Sequence, residues 1–188
     1  HLWFVNRSSS LGDMILAANG VLLNLHMVAT FFIDGFAHTC ETLVGEAKGQ
    51  RNLKQFRRIV FITVVWALIS ALFSAFIFYL GGTFFINLLT SIESIRFLAY
   101  EYLSWVIIMP ILTMACYHLD GIFLGTTQTS DIRNGMLISL IMFLGATLLL
   151  IPSFQNHGLW MSFSIFFIIR AITLLIRYPS VEKSITQS

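Results

Sequence analysis

Five long apolar runs, separated by short polar clusters, set the pattern of this chain. They predict helices over about 14–44, 59–80, 97–125, 135–151 and 159–176. Each fits or exceeds the range of about 17–25 residues that a helix needs to cross some 30 Å of hydrocarbon. The first and third are longer than the span requires and are expected to tilt or to project into water. None of the runs shows the in–out alternation over about ten residues that transmembrane strands require. Pro110 lies inside the third run and removes one backbone donor, so a kink is expected there. Gly81-Gly82 and Pro152 are expected to mark ends. Residues 1–178 read as one membrane lobe and 179–188 as a tail. Leu2 to Val5 resembles the end of a preceding apolar segment, and the chain opens on His1 rather than Met. The segment is therefore expected to be the C-terminal portion of a longer protein.

The polar residues inside the runs carry the chemistry. Asn24, Met27, Phe31, Asp34, His38 and Glu41 recur at three- and four-residue spacing and share one helix face. Thr113, Tyr117, Asp120, Leu124 and Thr127 share a face of the third predicted helix. A carboxylate inside hydrocarbon is costly, so Asp34 and Asp120 are candidates for a proton or cation relay that lines a wet cavity. The hydroxyls of Thr113 and Tyr117, a turn or two from Asp120, could complete oxygen coordination of a small cation. The alternative for Asp120 is a structural ion pair with Arg170, the one basic residue inside a span. Asn24 and His38 also fit the role of interhelical hydrogen-bonding groups, and Glu41 that of an interfacial charge. His118 reads as a packing residue.

Composition agrees with the pattern. Of 188 residues, 57% are hydrophobic and 11% charged, and the mean hydropathy is +0.83. A soluble domain carries roughly 25% charged residues. The net charge of +2 and the lack of a basic stripe argue against nucleic-acid binding. No basic, apolar and small-residue sequence typical of a signal peptide opens the chain. Cys40 and Cys116 read as small buried hydrophobes rather than a disulfide.

Lys and Arg set the expected orientation. Lys48, Arg51, Lys54, Arg57, Arg58, Arg133, Arg177 and Lys183 fall on one side, against Arg7 and Arg96 on the other. The positive-inside rule then puts the first and third connections and the C-terminus in the cytoplasm. The helices carrying Asp34 and Asp120 run the same way. Asp34 precedes Lys48 by 14 residues and Asp120 precedes Arg133 by 13, so both acids are expected at one depth. Trp105, Tyr100 and Tyr102 are expected in the outer aromatic belt.

Catalytic chemistry has little support. His26, His38, Cys40 and Glu41 supply metal-ligand types but not a His-Glu-x-x-His spacing. No nucleophile–base set or phosphate loop is present. No cofactor is expected beyond a coupling ion.

Several stretches resemble one family. Leu11-Gly12-Asp13, Ala17-Ala18-Asn19, Asp34-Gly35-Phe36-Ala37 and the run from Glu41 to Arg51 are similar to helix 8 and its exit loop in MATE (multidrug and toxic compound extrusion) transporters. The likeness is to the DinF-like branch. Tyr117, Leu119-Asp120-Gly121, Phe123, Gly125 and Thr127, followed by Arg133-Asn134, resemble helix 10. The resemblance implies an all-α polytopic protein: the end of helix 7 through helix 12 of a twelve-helix, two-lobe antiporter in a bacterial inner membrane. It implies export of lipophilic or cationic compounds in exchange for protons or sodium, against an N-terminal lobe of the same polypeptide. It assigns Asp120 to cation binding and matches Asp34 to a helix 8 acid. The rivals are a lipid-linked oligosaccharide flippase of the same superfamily, which needs a more cationic cavity, and an intramembrane enzyme or non-transporting subunit.

Overall fold

The computed structural model describes residues 2–187, which form five helices: α1 (Leu2–Ser10), α2 (Asp13–Gly49), α3 (Leu53–Leu89), α4 (Glu93–Gly125) and α5 (Thr129–Gln187). The long elements α2, α3, α4 and α5 are each apolar and long enough to cross a membrane. The protein is an all-α, multi-pass membrane fold, as the apolar runs predict.

Local chemistry sets the boundaries. Gly12, at φ 121°, turns the chain from α1 into α2, a conformation that favours glycine. Asn52 accepts the Gln55 amide at 3.0 Å and caps α3. The ends of α2 and α4 repeat one motif. Asn52 N–H donates to Ala47 O and Gln128 N–H to Phe123 O, across Arg51 and Thr127 in left-handed conformation. Lys48 Nζ, at the end of α2, donates to Thr126 O and Thr127 Oγ1 at the end of α4.

Helix α5 is sharply broken near its middle. Gln155 lies at φ 49°, ψ −125°, and breaks it into two arms, residues 129–154 and 156–187. Asp131 pairs with Arg177 and Gly135 faces Thr173, so the arms fold back antiparallel. The two predicted helices over 135–151 and 159–176 lie on these arms. Gly81-Gly82 does not end a helix; α3 continues to Leu89. A side chain at Gly82 would strike Leu103 of α4, so the glycine serves close packing. α4 stays helical through Pro110, and Thr113 Oγ1 donates to Met109 O at 2.9 Å in the next turn.

Contacts fix the helix directions. Ala37 meets Gly121 and Glu41 meets Gly125, so α2 and α4 run parallel. Trp105 meets His157 and Asp120 meets Arg170, so the second arm of α5 runs parallel to α4. α3 is antiparallel, pairing Thr63 with His118 and Gly82 with Leu103. One end of the interior is aromatic: Phe4, Trp160, Phe163 and Phe167 meet at centroid separations of 4.9–5.1 Å for three of their pairs. The other end is built on Phe56, Phe123, Leu174 and Val181. Phe61, Phe73, Phe84, Leu149 and Ile176 point outward, the arrangement of lipid-facing residues. Buried hydroxyls return to their own helices, Ser74 to Ser70 O and Ser162 to Gly158 O among them. That is the economical solution where water is absent.

Candidate ion and substrate site

The spacing of α2 and α4 makes the site. A Cβ at Gly121 would collide with the Ala37 carbonyl, and one at Gly125 with the Glu41 carbonyl. The backbones therefore touch along this seam, as small residues in membrane helices permit. Asp34, one turn before Ala37, and Asp120, next to Gly121, are brought to one wall. Gly121 is level with Ala37, so Asp120 lies only about 3 Å further along the bundle than Asp34, two residues at 1.5 Å each. The two acids are within one helical turn of each other in depth, as their matched positions in the sequence predict.

Both open on a cavity of about 330 Å³ lined by Asp34, Ala37, His38, Glu41, Tyr117, Asp120, Gly121, Leu124 and Arg170. It holds three carboxylates against one guanidinium and a histidine. Arg170 Nη2 donates to Asp120 Oδ2 at 2.8 Å; their side chains are only 12% and 16% exposed. The pair is half made: Asp120 Oδ1 and Arg170 Nε are buried without partners. Cys116 Sγ lies 3.8 Å from Asp120 Oδ2. His38 Nδ1 and Glu41 Oε2 stand 3.3 Å apart at the exposed rim. Asp34 makes no hydrogen bond or ion pair with any described residue. Tyr117 lays its ring against Phe167, with centroids 6.2 Å apart.

Of the residues the sequence singles out, Asp34, His38, Glu41, Tyr117 and Asp120 share this cavity. Asn24 and Thr113 lie elsewhere. Asn24 is on the same helix face, but it lines a separate apolar groove of about 370 Å³ with Val28, Phe32, Phe78 and Phe85. Thr113 is fully buried with its hydroxyl committed to the Met109 and Pro110 carbonyls. Thr127 likewise donates to Thr126 O at 2.6 Å. The oxygen shell expected from the Asp120 face is therefore not assembled. The ion pair with Arg170 stands there instead.

The remaining polar groups are packed. His118 is buried, its Nε2 3.9 Å from Cys40 Sγ and 3.5 Å from Thr63 Oγ1. His26 sits edge-on to Phe163 and Phe167. Cys40 and Cys116 are buried and free. No group of three metal-ligating side chains converges among the described residues. Tyr102 is buried against His157, and Trp105 Nε1 donates to His157 Nδ1 at 3.0 Å.

One polar network has no counterpart in the sequence reading. Asn19 and Asn156 exchange amide hydrogen bonds of 2.7 and 3.0 Å. Asn19 also donates to Ser8 Oγ and accepts from Trp160 Nε1. All four residues are buried, and they tie α1, α2 and the bend in α5 together. The available signal was an amide, Asn19, in the opening turns of an apolar run.

Close-packed parallel membrane helices around an acid-lined cavity define a polytopic helical membrane protein with a polar site inside the bundle. Residues 3–152 match the family described as MatE, and the chain belongs to that family. It is 36% identical over 164 residues to DNA damage-inducible protein F of Escherichia coli (strain K12). That alignment covers 87% of this chain and 36% of the relative, so the chain spans about a third of that protein. No solved structure matches.

Proposed function

We propose that this chain is the C-terminal lobe of a secondary antiporter that exports lipophilic or cationic compounds in exchange for protons or sodium. The observation that carries the reading is the convergence of Asp34 and Asp120, from two parallel helices, on one polar cavity inside an apolar bundle. Family membership supports transport as the activity. The cavity's surplus of acids over bases suits a cationic guest. A pyrophosphate-bearing lipid would need the opposite balance, which disfavours a flippase. Membership of a transporter family weighs against an intramembrane enzyme or a non-transporting subunit.

In this reading Asp34 and Asp120 carry the coupling ion, with His38, Glu41 and Tyr117 on the cavity wall. Asn24 belongs to the apolar groove beside it, suited to the lipophilic part of a substrate. The basic connection from Lys48 to Arg58 faces the cytoplasm of a bacterial inner membrane, together with the C-terminus. An N-terminal lobe of the same polypeptide supplies the other wall, since alternating access requires two repeats about one site. The test is full-length protein expressed in a drug-sensitive host. Asp120→Asn should abolish resistance to lipophilic cations while the protein remains in the membrane. Undiminished resistance would remove Asp120 from the mechanism.

A further inference from the structure

We infer that Arg170 is a tethered cation: it occupies Asp120 while the site is empty and is displaced when a proton or metal cation takes its place. Three observations lead there. The pair uses one nitrogen and one oxygen, at 2.8 Å, and leaves Asp120 Oδ1 and Arg170 Nε buried without partners. A pair built for structure in a membrane interior would be the two-pronged fork that guanidinium and carboxylate readily make. Here one oxygen of the carboxylate stays buried and unpartnered on a residue that lines the cavity. Second, Asp120 is held in place by the backbone seam at Gly121 and Gly125, whereas Arg170 reaches it on a long side chain from another helix. Third, the cavity has room and partners for the displaced head: about 330 Å³, with Asp34 and Glu41 on its wall.

The charge balance follows. Arginine does not give up its proton in proteins, so Asp120 is released only by movement of the guanidinium. A proton arriving at Oδ1 neutralises Asp120 and frees Arg170 to turn toward Asp34 and Glu41. When the proton leaves, the guanidinium returns, and no bare carboxylate is left in a dry interior. His38 also faces the cavity, at the rim beside Glu41. Arg170 is thus a positioning residue. Its place in a transport cycle rests on the antiporter reading, whereas its protection of Asp120 can be measured separately.

The test uses purified full-length protein and dicyclohexylcarbodiimide, which modifies protonated carboxyls in apolar surroundings. Modification of Asp120 is read by peptide mass spectrometry at pH 7. Wild-type Asp120 should react slowly. Arg170→Gln should raise the rate about tenfold or more, the effect of removing an adjacent cation from a carboxylate. Arg170→Lys keeps the charge and should return the rate close to wild type, which a purely packing role for Arg170 would not produce. Equal rates in wild type and Arg170→Gln, or no rescue by lysine, would overturn the inference. If Arg170→Gln does not insert, thermal unfolding of Asp120→Asn and of Asp120→Asn/Arg170→Gln decides. The single variant strands a cation and should lose stability that the double variant recovers; independent effects would contradict the pairing. A protein that protects Asp120 yet moves no cation would retain the pair and remove the antiport reading. One that transports with Asp120 unprotected would do the reverse.

Discussion

Gly121 and Gly125 set the separation of the two acid-bearing helices, because each places bare backbone against a carbonyl of α2. Gly125→Ala should destabilise the protein by about 1–3 kcal/mol, the usual cost of overpacking. Gly20→Ala, with no neighbour within 4 Å, should instead be neutral or stabilising by about 0.5–1 kcal/mol. Thermal unfolding in detergent distinguishes them. Asn19 is a second sensitive position. Asn19→Ala leaves Asn156 and Trp160 short of partners and should cost about 2–3 kcal/mol, whereas removing Asn19 and Asn156 together should cost less than the sum. The sequence made part of this legible. Asp34, His38 and Glu41 were readable as one face because helical spacing is local. Tyr117 and Asp120 joined them because two apolar runs of the same direction share a depth. Asn24 was misplaced since it lies over two turns from Asp34, where the neighbour is α3 rather than α4. Thr113 was misplaced because a hydroxyl in a helix can satisfy itself on the preceding turn. The Asn19–Asn156 pair spans 137 positions, and no local pattern encodes it.

At the scale of elements, the apolar runs located every long helix but not its ends. Helices α2 and α3, of 37 residues each, continue past the apolar stretch into polar sequence, where caps rather than hydropathy decide. Gly81-Gly82 illustrates the ambiguity of glycine in a membrane protein: the same residue that breaks a soluble helix permits close packing here. The break at Gln155 is the converse case. Its φ 49°, ψ −125° is near the first central position of a type II′ turn, where glycine is favoured. Gln155→Gly should therefore stabilise the hairpin by about 1 kcal/mol. Gln155→Pro, which cannot adopt positive φ, should prevent its closure. Both outcomes are read as shifts in detergent Tm.

At the scale of the molecule, the face of α2 that carries Asn24, Phe31 and His38 lies open, with Asp34 half-buried on it. A polar face beside a lipid-facing exterior is a costly arrangement unless something covers it. The proposed N-terminal lobe would do so and would turn the cavity into a passage between two repeats. The central claim is that Asp34 and Asp120 couple an ion gradient to movement of a lipophilic cation. It is tested most directly with full-length protein in proteoliposomes, by following tetraphenylphosphonium under an imposed proton or sodium gradient. Wild-type protein should move the probe only when a gradient of one of these ions is present, and Asp34→Asn/Asp120→Asn, reconstituted to the same level, should fall to the rate of empty vesicles. Gradient-independent movement, or transport by the double variant at the wild-type rate, would contradict the account.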